Sequence, residues 1–310
     1  MAAYTTFTRE ALSNYLRMFG IGKLGSFKPI TEGIENSTYF IKIIEGDTEQ
    51  KYVLSIIERL NLSEIPFFIE VLQTLAACGL PVPAPKRTLD GMSTTIFCGK
   101  PTLLIPKLTG QHVTEASPEQ CNALGRALAE IHLKSDNQVY FRENPYSPDW
   151  MEKAVRENTR EFSEADLVML KKITEEYRLA QECGLPKGMI HGDLFRDNVL
   201  FVDNKLTGIL DFFNACNDFL VQDISIVIND WCVSTRKELF KSRRDAFLDG
   251  YTFKRAIEDK ELENLSRFRI FSAAIFTLTR QQRDKSGEYL KDPREYLDLT
   301  RQLYKSNYER

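Results

Sequence analysis

Histidine is scarce in this chain, with only three in 310 residues, at 112, 132 and 191. That scarcity argues against a zinc centre, which is built from clustered His and Cys. The six cysteines, at 78, 98, 121, 183, 216 and 232, form neither a C-x-x-C pair nor a regular framework. Reduced thiols in a cytoplasmic protein are the expectation. No apolar run is long enough to span a bilayer, and the first residues lack a basic segment followed by an apolar one. Neither a membrane partner nor a leader is expected. Excess positive charge is also missing: 41 Lys and Arg stand against 44 Asp and Glu, well mixed along the chain. No nucleic-acid partner is expected. Internal repeats and low-complexity tracts are absent too.

What remains is a soluble globular chain with enough length for two domains or one large one. Its elements change character along the sequence. Thr8 can cap a first helix in which Leu12, Tyr15, Leu16 and Phe19 share a face and Gly20 is the stop. The runs 27–31, 37–44 and 52–57 read as strands, broken at Glu32-Gly33 and Gly46-Asp47. A helix over 65–78 closes at Gly79, and strand pairing resumes around Asp90-Gly91 and reaches 102–105. From Ser117 the pattern turns helical: Ser117-Pro118-Glu119-Gln120 offers an N-cap, a proline at the first helical position and an amide three residues after the cap. Helices then fill about 150–183 and most of the chain after Asp223. The expected architecture is α+β and bilobal: a β-rich lobe over 1–105, a linker over 106–110, and a larger helical lobe over 111–310. A nucleotide is expected in the cleft between lobes.

One stretch carries chemistry. In His191-Gly192-Asp193-Leu194-Phe195-Arg196-Asp197-Asn198, the amide lies five residues after Asp193, the spacing of the kinase catalytic loop H-R-D-x-x-x-x-N. Asp211, in Leu210-Asp211-Phe212, takes the place of the D-F-G aspartate. The runs 199–202 and 206–210 read as a hairpin whose central residues, taken as Asn204 and Lys205, set Asn198 opposite Asp211. Mg²⁺ is held by one or two carboxylates plus substrate phosphates, which suits Asp211 and Asn198. Asp193 would accept the proton of an acceptor hydroxyl as the γ-phosphoryl group transfers.

Together these features resemble the aminoglycoside-phosphotransferase-like kinases. Within that family, the blocks Glu32-Gly33-Ile34-Glu35-Asn36-Ser37, Leu80-Pro81-Val82-Pro83-Ala84-Pro85, Ala215-Cys216-Asn217-Asp218, Asn229-Asp230-Trp231-Cys232 and Lys291-Asp292-Pro293-Arg294-Glu295-Tyr296 resemble the bacterial homoserine kinases. The resemblance implies a protein-kinase-like fold and ATP- and Mg²⁺-dependent phosphorylation of the side-chain hydroxyl of L-homoserine, a step toward threonine. It carries Asp193 over as the base, Asn198 and Asp211 as metal ligands, and Gly33, Asn36 and Ser37 as the loop over the phosphates. The adenine is expected against Ile105, Pro106, Lys107 and Leu108.

There is one departure. Ser55 stands where the kinase strand V-A-I-K has its phosphate-binding lysine, and Lys42 or Lys51 is a candidate substitute. For the zwitterionic acceptor, Asn217, Asp218, Asp223, Asp230 and Arg280 are candidates, while Asp223 could equally brace the catalytic loop. Trp231 reads as packing. Alternatives remain: another acceptor such as an aminoglycoside, choline or a sugar, or a nucleotide-binding pseudokinase, for which Ser55 would be the motive.

Overall fold

The computed structural model describes residues 5–30, 36–58, 62–134, 140–234, 238–285 and 292–308. These fall into two compact units. The first comprises Met1–Gly110 with Gln138–Tyr140 and Thr207–Leu210; the second comprises Gln111–Asn137, Phe141–Leu206 and Asp211–Arg310.

The first unit opens with helix α1 (Arg9–Leu16), capped as the sequence predicts: the Thr8 hydroxyl accepts from the Ala11 N–H at 3.1 Å. Gly20 ends the following turn at φ +61°, a conformation in which a Cβ would be strained. Five antiparallel strands follow, β1 (Lys23–Pro29), β2 (Asn36–Glu45), β3 (Thr48–Ile57), β4 (Thr95–Phe97) and β5 (Lys100–Pro106), in the order β1-β2-β3-β5-β4. Between β3 and β4 lies helix α2 (Ile65–Ala77). Alternation sorts the strand residues onto two faces. Tyr39, Ile41 and Ile43 of β2, with Leu54 and Ile56 of β3, are buried against Leu12, Tyr15 and Leu16 of α1. Each such buried side chain contributes about 1.5–3 kcal/mol. Two expectations need correction here. β1 starts four residues earlier than the β-prone run suggested, and the β4–β5 hairpin turns at Cys98-Gly99, both at positive φ (52° and 76°), not at Asp90-Gly91. Positive φ at both positions matches the twist of paired strands.

The second unit is mainly helical: α3 (Pro118–Lys134), α4 (Pro148–Glu157), α5 (Glu164–Ala180), α6 (Leu220–Trp231), α7 (Lys241–Thr252), α8 (Asp259–Lys285) and α9 (Pro293–Tyr308). The reciprocal cap of α3 is present, with Gln120 N–H donating to Ser117 Oγ at 3.2 Å and Ser117 N–H to Gln120 Oε1 at 2.9 Å. Short strands punctuate the helices. β6 (Lys187–Ile190) pairs antiparallel with β9 (Cys216–Phe219), and β7 (Val199–Val202) with β8 (Lys205–Ile209) makes a two-stranded sheet. The core joins Met151, Leu170, Ile173, Tyr177, Phe268 and Phe271 from α4, α5 and α8.

Helices α3 and α7 touch backbone to backbone. A Cβ on Gly125 would lie 2.2 Å from the Phe247 carbonyl oxygen, and one on Gly250 would lie 2.1 Å from that of Asn122. Only glycine allows this approach. Its result is that His132, near the end of α3, meets Tyr251 of α7.

Candidate active site

β6 delivers the chain to His191, and the antiparallel β9 lies beside it. At that point the backbone turns with Gly192 at φ +75°, and a Cβ there would approach the Asn214 carbonyl oxygen to 2.6 Å. Glycine is required on both counts. The turn is clamped from below by Asp223 of α6. Its carboxylate is fully buried and accepts the backbone N–H groups of His191 (2.6 Å) and Gly192 (2.8 Å). His132 Nε2 lies 3.3 Å from the same carboxylate, and His132 Nδ1 is 2.7 Å from the Tyr251 hydroxyl. Arg255 donates to that hydroxyl at 3.1 Å and forks onto the buried Glu261. Burial opposes ionisation of Asp223, yet His132, together with the ring and backbone N–H of His191, outweighs it and holds its carboxyl below the usual range.

The clamped turn presents Asp193. Its backbone N–H donates to His191 Nδ1 at 3.3 Å, and the His191 ring lies 4.5 Å from that of Phe212. One carboxylate oxygen, Oδ2, is held by two amides, Asn198 Nδ2 and Asn214 Nδ2, each at 3.3 Å. Asn198 Nδ2 also donates to the Asp193 carbonyl at 2.7 Å. With its NH₂ committed to Asp193, the Asn198 amide oxygen is the atom that would coordinate a hard cation. Asp211 begins the 3-10 turn Phe212–Asn214 in the left-handed region, φ +59° and ψ +65°. A carboxylate and an amide oxygen form a sparse donor set, suited to an ion that keeps waters and substrate phosphates as its other ligands. Among the described residues no group of three or more His, Cys, Asp or Glu gathers as a metal site. The β7–β8 turn falls on Asp203 and Asn204, with Asp203 at φ +53°, one position earlier than the sequence reading placed it. Asp211 consequently lies in the turn beyond β8, not in a strand pair facing Asn198.

The remaining candidates are distributed as follows. Asp218 is buried, taking Asn144 Nδ2 at 2.5 Å and the Tyr177 hydroxyl at 3.3 Å. Asn217 exchanges hydrogen bonds with the Arg142 backbone at 2.7 and 3.0 Å. Asp230 holds the loop's Arg196 through its backbone N–H (2.8 Å) and its guanidinium (3.1 Å). Arg280 pairs with Glu295 at 2.9 Å and lies over the Tyr296 ring. Trp231 is fully buried and donates to the Leu194 carbonyl at 3.0 Å.

In the first unit, Gly33 lies outside the described residues. Ser37 is turned to the α1 face, where it accepts from the Thr5 N–H at 3.0 Å and donates to Glu58 at 2.5 Å. Lys100 joins the same cluster through Glu58 and, at 2.9 Å, Thr5 Oγ1. Asn36 Oδ1 accepts the Glu58 N–H at 3.3 Å. Ser55 is buried on the other face of β3, between Thr38 and Leu103. Lys42 and Lys51 both turn to Glu49, at 2.7 and 3.6 Å, four residues along the ladder from Ser55. Residues Ile105 and Pro106 end β5, and Lys107 and Leu108 follow it; Lys107 Nζ lies 4.9 Å over the Phe40 ring.

Sequence reasoning missed Asn214 and His132. Asn214 was findable, since it is an amide three residues past Asp211. His132 carried no signal, because it meets Asp223 from 91 residues away.

A model of the phosphotransferase enzyme family matches residues 26–257. The chain belongs to that family. It is 35% identical to a homoserine kinase of Agrobacterium fabrum (strain C58) over 306 residues, covering 96% of this chain and 94% of that protein. A homoserine kinase of Pseudomonas aeruginosa (strain LESB58) is 34% identical over 282 residues, covering 90% of this chain and 88% of the relative. Among solved structures, an amicoumacin kinase in complex with AMP-PNP, Ca²⁺ and Ami superposes with a TM-score of 0.75 at 18% identity, covering 97% of this chain and 94% of that one. The fold is therefore protein-kinase-like, as the sequence implied, and the protein is an enzyme of the kinase type. Among the described residues no helix is long and apolar enough to cross a membrane.

Proposed function

We propose that this phosphotransferase transfers the γ-phosphoryl group of ATP to the side-chain hydroxyl of L-homoserine, giving O-phospho-L-homoserine and ADP for threonine synthesis. The observation that carries the reading is the identity of about 34% with homoserine kinases across nearly the whole chain. Asp193 serves as the base: it orients the hydroxyl and takes its proton as the new P–O bond forms and the bond to ADP breaks. Asn198 and Asn214 fix the plane of its carboxylate, and Asp223 fixes the main chain that carries it. Mg²⁺, when bound, neutralises charge developing on the phosphates. Asn198 and Asp211 are the residues that would hold it.

In the first unit, Asn36, Ser55 and residues 105–108 are the proposed nucleotide contacts, with the main chain around Gly33 and Ser37 serving the phosphates. All six cysteines are free thiols, which supports the cytoplasmic reading. The test is a substrate panel. Purified protein with ATP and Mg²⁺ is offered L-homoserine, L-serine, choline and an aminoglycoside, with ADP release coupled to a dye and the product identified by ³¹P NMR. Homoserine should turn over at roughly 1–100 s⁻¹. ADP release with another member of the panel and none with homoserine would refute the reading.

A further inference from the structure

Beside the turn that carries Asp193, the second unit has a small recess of about 70 Å³ that opens to solvent. Its walls include Arg196, Asn229, Asp230, Phe240, Arg243 and Tyr296. Arg196 follows Asp193 by three residues and begins the 3-10 turn that ends at Asn198. The Phe195 ring packs 5.8 Å from that of Tyr296. The recess therefore adjoins the segment that carries the base.

Arg243 is the unusual member. Its side chain is only 13% exposed and its guanidinium lies over the Phe240 ring at 4.3 Å. The carboxylate that faces it, Glu115, is 82% exposed and 3.8 Å away, beyond hydrogen-bond distance. A largely buried guanidinium is normally satisfied by a forked carboxylate, as Arg255 is by Glu261. Arg243 also stands in the first turn of α7, which has no acidic residue there and no side-chain cap from Phe240. The helix dipole disfavours a cation at that end and favours an anion. Both features are reconciled by an anion that binds between the guanidinium and the helix start. The same recess is lined by Asp230, which holds Arg196, and by Glu295, which holds Arg280. Tyr296, whose buried hydroxyl has no hydrogen-bond partner among the described residues, is also part of the wall. Cationic and anionic groups around one small space are what a zwitterion requires.

Resting on the function proposed above, we infer that this recess binds the amino-acid head of the acceptor, with Arg243 as the anchor for its α-carboxylate and the Asp230 and Glu295 side facing its ammonium group. Specificity for an amino acid over an amino alcohol then resides in Arg243, a residue outside every motif that marks phosphoryl transfer.

The experiment compares L-homoserine with 3-aminopropan-1-ol, which keeps the amine and hydroxyl but lacks the carboxylate. The wild-type enzyme should favour homoserine in kcat/KM by about 10- to 100-fold, the worth of a charged hydrogen bond. Arg243→Gln should raise KM for homoserine by a similar factor, leave kcat and KM for ATP near wild type, and abolish the preference. Arg243→Lys, which keeps the charge but not the fork, should lie between the two. It also serves if the glutamine variant fails to fold. Equal use of both compounds by the wild-type enzyme, or an unchanged homoserine KM in a folded Arg243→Gln or Arg243→Lys variant, would overturn the inference while leaving the homoserine kinase reading intact. No wild-type turnover of homoserine would overturn both.

Discussion

Glu58 in the first unit and Asp223 in the second are both carboxylates set in polar clusters, yet their donors differ in kind. Glu58 collects side chains, Ser37, Thr5 and Lys100. Asp223 collects two consecutive main-chain N–H groups and one imidazole. A cluster of side chains can rearrange when one member changes. A clamp on the main chain cannot, because the loop conformation is what it holds. Glu58 therefore ties α1's approach to the end of β2 and β3, whereas Asp223 sets the position of Asp193, the group proposed to meet the reacting hydroxyl.

This difference orders the expected effects. The largest falls on what the clamp serves. Asp193→Asn should lower turnover by about 10²- to 10⁴-fold, the span of general-base catalysis, with MgATP binding and the urea midpoint near wild type. If Asp223 acts only through Asp193, the Asp193→Asn, Asp223→Ala double variant should lose no more turnover than Asp193→Asn alone, as measured by single-turnover quench. Asp223→Ala by itself should cost about 3–5 kcal/mol in urea unfolding, since it strands buried donors, and should slow turnover as the loop loosens. Gly192→Ala, which forces a Cβ against the Asn214 carbonyl at positive φ, should cost about 1–3 kcal/mol and reduce turnover in parallel. At the small end, Glu58→Gln should cost about 1 kcal/mol, because the Lys100 partner is 38% exposed and its ion pair is screened, and turnover should not change. A Glu58→Gln variant that lost turnover as strongly as Asp223→Ala would erase the distinction.

Acidity sharpens the same contrast. For Glu58, burial raises the carboxyl while Lys100, Ser37 and Thr5 pull it below its ordinary value; for Asp223, burial is likewise overcome by His132 and the main chain. A folded-state value below the unfolded one means stability that is present above the ordinary carboxyl value and lost as pH falls through the folded one. The acid limb of the unfolding curve, below about pH 4, should therefore flatten in Asp223→Ala and change less in Glu58→Gln.

Legibility in the sequence followed the range of the interaction. The Thr8 cap and the Ser117–Gln120 box were readable because donor and acceptor lie three residues apart. The proposed set of Asp193, Asn198 and Asp211 could be picked out because its members are spaced along one continuous segment. The Cys98-Gly99 turn was not, since cysteine seldom takes a left-handed conformation and Asp90-Gly91 carried the stronger turn signal. The choice between two roles for Asp223 also needed coordinates, as its partners come from positions 132, 191 and 192. The Ser37 side chain, expected over the phosphates, is occupied instead by Thr5 and Glu58, because β2 alternation turns it to the α1 face.

Asp211 occupies a conformation that glycine would adopt with less strain. Replacing it with glycine would relieve that strain and remove the carboxylate proposed to hold the metal. Low backbone strain and the proposed metal role thus pull in opposite directions at a single residue.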